Sequence, residues 1–123
     1  MQRLDLYINN VNICKISLAN NFWTRFMGLM GKSEEQIRSM GGLMIKPCSQ
    51  IHTFFMKAPI DVVYINKESK VVQVDEAVPK AKCCKRVKKA KYLIEFPEGT
   101  AKRFNIKEED ITIKKGEAIG QGV

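Results

Sequence analysis

The chain has 123 residues, enough for one domain with a single buried core, and we expect residues 1–123 to form that single domain. Its 45% hydrophobic and 28% charged residues exclude the disordered and fibrous classes. No apolar run reaches the roughly 18 residues of a membrane span and the N-terminus lacks a signal-peptide pattern, so we expect a cytoplasmic protein without a membrane partner.

The net charge is +8, and one segment contributes seven of these charges. Residues 80–91, KAKCCKRVKKAK, contain seven Lys or Arg and no acid. A solvated loop between two strands is the favoured interpretation, because no aromatic residue alternates with the lysines to stack on bases. Binding of nucleic acid or another polyanion through this basic segment is the alternative. Its candidate contacts are Lys82, Lys85, Arg86, Lys88 and Lys89.

The N-terminal third predicts a β-hairpin and two short helices. Apolar residues alternate over residues 4–8, and Asn9-Asn10 supplies two positions that tolerate positive φ. Asn20 or Asn21 can cap a short helix, and residues 33–36, SEEQ, match a capping box for a second helical turn. We expect the large apolar side chains of this stretch to plug one open end of the β structure. They are Phe22, Trp23, Phe26, Met27 and Met30.

From residue 43 onward, short apolar runs alternate with turn residues, which is the pattern of β-strands. The strands are predicted at residues 43–45, 51–56, 62–65, 71–74, 92–96 and 111–113. The fold class is therefore mainly β (β-rich α+β), a compact sandwich, jelly-roll-like or barrel-like fold of about eight short strands with one or two short helices. The helices are too few for a parallel βαβ sheet.

Residues 47–66, PCSQIHTFFMKAPIDVVYIN, are interpreted as a central β-hairpin. If residues 57–60 form its loop, both strands carry apolar side chains on both faces and should be buried on both sides. His52 and Asp61 then lie at opposite ends of one face.

Three ordered blocks resemble the family known as domain of unknown function 192. They are FMGLMGK, GGLMIKPCSQIHTFFMKAPIDVVYINKESKVVQV and AKYLIEFPEGTAKRFNIKEEDITI. The resemblance implies a compact, mainly β domain for which no biochemical activity is established. The chain departs from the family pattern at Glu109-Asp110, where Gly-Asp is common, and in lacking the export signal of many relatives.

The leading functional hypothesis is a small accessory or binding domain for a small polar ligand. Polar residues cluster in the otherwise apolar stretch 47–66, and the candidate ligand contacts are Gln50, His52, Thr53 and Asp61. The alternatives are structural, since His52 can be a hydrogen-bonded histidine at the core margin and Asp61 can hold a bend through backbone N–H groups.

An enzyme of unassigned reaction using Cys48 and His52, with Asp61 as orienter, is a further alternative. In an extended segment these two residues lie roughly 13 Å apart, too far for a nucleophile–base hydrogen bond. Glu95 lies among apolar residues and points either outward, by strand alternation, or inward toward a cation such as Lys57.

The cysteines show no paired spacing, so free thiols are expected. They are Cys14, Cys48 and the adjacent Cys83 and Cys84. With a single histidine, the sequence indicates no metal site, and it indicates no cofactor. A redox role for Cys83-Cys84 is the alternative, because neighbouring lysines favour the thiolate.

Overall fold

The computed structural model describes residues 2–116, which form one seven-stranded sheet and three short helices. In chain order the elements are β1 (Gln2–Ile8), β2 (Val11–Ala19), α1 (Phe22–Met27), α2 (Glu34–Met40), β3 (Leu43–Ile45), β4 (Ile60–Ile65), β5 (Val71–Val78), β6 (Tyr92–Pro97), α3 (Thr100–Arg103) and β7 (Thr112–Gly116). The strand order is β5-β4-β6-β3-β2-β1-β7, and every neighbouring pair is antiparallel except β2 and β3. Within residues 2–116 the two edge strands of the sheet, β5 and β7, do not pair to close it into a barrel.

The mainly β architecture is confirmed, with seven strands in residues 2–116 where about eight were predicted. The opening hairpin forms as expected, and Asn9 and Asn10 both adopt positive φ in its turn. Both predicted helix starts are confirmed: Asn21 caps α1, and Ser33 begins the predicted capping box of α2. The structure adds that Asn21 and Thr24 also form a capping box. None of the helices in this part of the chain is long and apolar enough to cross a bilayer.

The predicted strand over residues 51–56 is wrong. Within it, His52 alone makes a strand-like bridge, to Cys83. The reason is that β4 pairs with β5 on one edge and with β6 on the other, so no edge of β4 is left for a hairpin partner. The segment instead crosses a face of the sheet and hydrogen-bonds to the basic segment.

The prediction that the large apolar residues 22–30 plug one open end of the β structure is wrong for the three aromatic residues of α1, whereas Met27 and Met30 are half-buried. Phe22, Trp23 and Phe26 are 75%, 64% and 56% exposed. The helix has no buried residue, and the chain enters the core only at Leu29, just after the helix ends.

The central strands β4 and β6 are buried along their whole length, because a separate apolar cluster covers each face of the sheet. One face packs against the turn after α1, helix α2 and the segment 48–56, and includes Val62 and Tyr64 of β4. The opposite face packs against α3 and β1, and includes Val63 and Ile65. We call the face that contains Val62 and Tyr64 the cavity face, and the face that contains Val63 and Ile65 the α3 face. The expected burial of residues 62–65 on both sides is confirmed.

Asp61 lies on the α3 face, where its buried carboxylate joins three segments of the chain. Its Oδ1 accepts a hydrogen bond of 2.9 Å from the Ala77 backbone N–H. Its Oδ2 accepts bonds of 3.1 Å from Gly99 and 2.9 Å from Ala101, at the start of α3. One side chain therefore fixes the end of β5 and the first turn of α3 relative to β4.

Replacing Asp61 by Asn should destabilise the fold by about 3 kcal/mol, because an amide cannot accept all three bonds and turns a donor toward backbone donors. The free energy of unfolding measured in urea tests this. Asp5→Asn is the matched control, since it removes an exposed ion pair with Lys15 at 3.0 Å and should cost less than about 1 kcal/mol. Equal losses in the two variants would contradict the role assigned to Asp61.

Candidate functional site

A cavity of about 220 Å³ lies on the cavity face, between the α1 turn, strands β3 and β6, and the segment after β3. Its lining is mixed: it includes the apolar residues Met27, Met30 and Met56 and five residues with polar side chains. These five are Arg25, Cys48, Gln50, His52 and Glu95. A concave site with an apolar wall and a few convergent polar groups is the usual form of a small-ligand site.

Glu95 is the most unusual group in this cavity. The side chain is only 4% exposed, and its Oε1 has no hydrogen-bond partner among the described residues. Burial raises the pKa of the Glu95 carboxyl from 4.5 to about 7, while a backbone hydrogen bond from Leu29 acts in the opposite direction. Glu95 Oε1 can therefore accept a hydrogen bond from a donor group that enters the cavity.

Gly28 allows the α1 turn to approach this carboxylate. Its φ is +51°, and a side-chain carbon at this position would come within 3.3 Å of Glu95 Oε1. The glycine therefore provides both the backbone conformation and the space that the cavity needs.

The Tyr64 hydroxyl is a second buried polar atom without a partner in residues 2–116. Val62 faces Glu95 across the β4–β6 pair, so Tyr64, two residues further along β4, is its diagonal neighbour on the same face. Burial is the main cause that raises the pKa of Tyr64, and the charge of Asp75 comes next, with Glu95 a smaller contributor. Both buried atoms that lack partners in the described part of the chain therefore lie on the cavity face.

Cys48 and His52 both line the cavity, although the structure shows no hydrogen bond between them in the described residues. The Cys48 thiol donates to the Gln50 carbonyl at 3.2 Å, and His52 Nδ1 accepts from the Phe54 backbone N–H at 3.3 Å. Burial raises the pKa of Cys48, and the nearby Glu95 charge adds to the effect. Little thiolate is therefore present at neutral pH, which disfavours Cys48 as a nucleophile.

The four residues that the sequence suggested as ligand contacts do not come together. Gln50 and His52 line the cavity, and the Gln50 amide also donates to the Cys84 carbonyl at 2.8 Å. The buried Thr53 hydroxyl is occupied by the Pro79 carbonyl at 2.7 Å and the Lys82 N–H at 2.8 Å. Asp61 lies on the α3 face, across the sheet from the cavity.

The basic segment lies across the cavity face as a strap over residues 80–91. Backbone hydrogen bonds join Thr53 N–H to Lys82, Cys84 N–H to Ile51 and Val87 N–H to Ser49, at 2.7, 3.1 and 2.9 Å. The five cations suggested as polyanion contacts are exposed and form no ion pair within residues 2–116. These are Lys82, Lys85, Arg86, Lys88 and Lys89.

Sequence reasoning missed Arg25 and Gly28 as site residues and considered Glu95 only as an outward-facing or cation-paired group. One signal was present: a single carboxylate interrupts an apolar strand of which both faces were candidates for burial. What sequence could not supply was the position of the α1 turn above it.

The fold and cavity define a small β-rich domain with one open sheet and a carboxylate buried beneath the first helical turn. Residues 6–113 match the model of the domain of unknown function 192 family, described as "Uncharacterized ACR", and the chain belongs to this family. The predicted family is thereby confirmed, and no activity is established for it.

Two curated relatives are proteins of the uncharacterised family UPF0127. The one from Thermococcus kodakarensis is 29% identical over 104 residues, which cover 79% of this chain and 62% of the relative. The one from Pyrococcus furiosus is 26% identical over 101 residues, covering 78% of this chain and 83% of the relative.

Two solved structures share the fold. A protein of unknown function from Novosphingobium aromaticivorans has a TM-score of 0.71 at 15% identity, over 89% of this chain and 83% of that chain. A protein described as a candidate transcription regulator, from Sinorhizobium meliloti, has a TM-score of 0.74 at 20% identity over 92% of each chain.

The raised pKa of Glu95 makes a prediction about stability. Between about pH 4.5 and about 7 the folded state keeps a proton that the unfolded state has lost, so stability attributable to Glu95 falls as the pH rises through this window. Glu95→Gln removes this dependence. Its stability relative to the unsubstituted protein should therefore increase by about 3 kcal/mol from pH 4.5 to about pH 8.

Urea unfolding across this pH range measures the difference. The exposed neighbour provides the matched control, because Glu98→Gln should leave the pH profile unchanged. A Glu95→Gln profile parallel to that of the unsubstituted protein would mean that Glu95 is not a buried, proton-holding carboxyl.

Proposed function

We propose that this protein is a small-ligand-binding domain of the cytoplasm, whose ligand occupies the cavity and donates an N–H group to Glu95. The observation that carries the proposal is that Glu95 Oε1 has no partner among residues 2–116, because a buried acceptor without a donor costs free energy that a bound donor would recover. The four cysteines, all within the described residues, are free thiols, which fits a reducing compartment.

Arg25 supports a ligand with two opposite polar ends. Arg25 lines the same cavity, and its guanidinium has no ion pair or side-chain hydrogen bond within residues 2–116. Its positive charge lowers the pKa of Cys48 while the Glu95 charge raises it, so both charges act on one thiol. A molecule with an ammonium group at Glu95 and an anionic group at Arg25 would satisfy both side chains.

The size and lining of the cavity narrow the ligand further. About 220 Å³ is below the volume of most drug-sized sites, which begin at roughly 300 Å³. The thioethers of Met27 and Met56 provide a soft, adaptable wall for a short aliphatic chain. The ligand class is therefore a small amine with an aliphatic body and an acidic group, comparable in size to an amino acid.

A matched set of three compounds tests this class: butylamine, butyrate and 4-aminobutyrate. We expect the two amines to bind, the amino acid more tightly than butylamine, and butyrate not to bind. Isothermal titration calorimetry gives the affinities, and Glu95→Gln should weaken amine binding by about tenfold or more, since it removes the charged acceptor. Glu98→Gln should bind like the unsubstituted protein.

Amine binding should also strengthen as the pH rises from about 6 to about 8, because the ammonium group requires ionised Glu95. Butyrate binding as tightly as butylamine, or amine binding that survives Glu95→Gln unchanged, would refute the proposed ligand class.

A further inference from the structure

The second surface of interest combines the basic strap, residues 80–91, with a group of exposed aromatic rings. Sequence reasoning placed no aromatic residue among the lysines, but the fold brings such residues there. Thr53 exchanges backbone hydrogen bonds with Lys82 at 2.7 Å and Ala81 at 2.9 Å. The next two residues, Phe54 and Phe55, are 42% and 80% exposed.

The rings of α1 extend this aromatic group. The Gly31 backbone N–H, in the turn after α1, donates to the Phe55 carbonyl at 3.0 Å. Phe26 stacks against Trp23 with ring centroids 6.1 Å apart, and it lines the cavity together with His52. Of the seven large hydrophobic side chains exposed in residues 2–116, five belong to this group. They are Phe22, Trp23, Phe26, Phe54 and Phe55.

The strap has strong positive charge that the described part of the chain does not neutralise. All seven of its Lys and Arg side chains are exposed, and none forms an ion pair with a described carboxylate. Asp75 and Glu76 line a groove together with Lys82 and Lys85. These two carboxylates therefore screen the positive charge on one side of the strap. The other cations of the strap can bind an external anion.

We propose that this aromatic and basic surface binds single-stranded nucleic acid. The cations follow a stretch of backbone that pairs with residues 48–53 and is up to about 16 Å long. Such a linear array of cations can contact several successive phosphates of one strand. The exposed rings can stack only on unpaired bases, which a single strand offers and a duplex does not.

Fluorescence anisotropy with a labelled oligothymidylate of about 12 nucleotides tests the proposal, since site sizes of about 4–16 nucleotides are usual. We expect a dissociation constant of roughly 10⁻⁴ to 10⁻⁶ M that rises steeply between about 50 and 200 mM salt. The double variant Lys85→Glu/Lys88→Glu should weaken binding by about tenfold or more. The control is Lys102→Glu/Lys107→Glu, which makes the same charge change at one exposed position in α3 and one just after it, on the opposite face of the sheet. This control should weaken binding less.

The aromatic part needs a separate readout, which heparin provides because it carries charge without bases. Phe55→Ala should weaken oligothymidylate binding by about five- to tenfold and leave heparin binding unchanged. Val11→Ala, at another exposed apolar position, should change neither. Circular dichroism melting of each variant confirms that it is folded.

Four results would overturn the proposal. They are no oligothymidylate binding at low salt, equal sensitivity of oligothymidylate and heparin binding to Phe55→Ala, a preference for duplex, and binding to phosphatidylserine vesicles without binding to the oligonucleotide. The last result would assign the surface to an anionic membrane instead.

Discussion

The burial of β4 and β6 on both faces is the constraint on which the rest of the fold depends. All residues from Ile60 to Ile65 and from Tyr92 to Pro97 are buried, so the chain must cover two surfaces with few helices. Helix α3 and β1 cover one face, and the α1 turn, helix α2 and the segment 48–56 cover the other. Segments without regular structure therefore contribute as much to the core as the helices, and they need their own hydrogen bonds to hold their positions.

Each face of this doubly buried pair carries one carboxylate, and the two have opposite surroundings. Asp61 receives three backbone donors and serves as a structural anchor. Glu95, one position along the β4–β6 register and facing the other way, has one backbone donor and an unused oxygen above a cavity. A buried carboxylate costs free energy unless its acceptors are filled, so the first stabilises the fold and the second carries a cost that the described residues only partly offset.

The sequence predicted elements whose causes are local. Paired asparagines set the β1–β2 turn, side-chain caps start α1 and α2, and the apolar run of β4 required burial on both sides. The sequence-based prediction was wrong where the structure of a segment depends on residues that are distant in the chain. Residues 51–56 have the composition of a strand, but both edges of β4 are already paired. They therefore pack over one face of the sheet, and the Thr53 hydroxyl accepts a hydrogen bond from Lys82 of the strap. Composition cannot reveal which edges a distant strand will fill.

The candidate site was hidden from sequence for a related reason. Alternation along a strand distinguishes an inward from an outward side chain only if one face meets water. In β6 neither face meets water, so alternation could not place Glu95. The sequence pattern of residues 47–66 favoured Asp61 as the site carboxylate instead. A lone carboxylate in a strand buried on both faces must either find backbone donors or await another partner. In this protein the turn at Gly28 lies against Glu95 and gives it one backbone donor, from Leu29. The same turn leaves Glu95 Oε1 without a donor among residues 2–116.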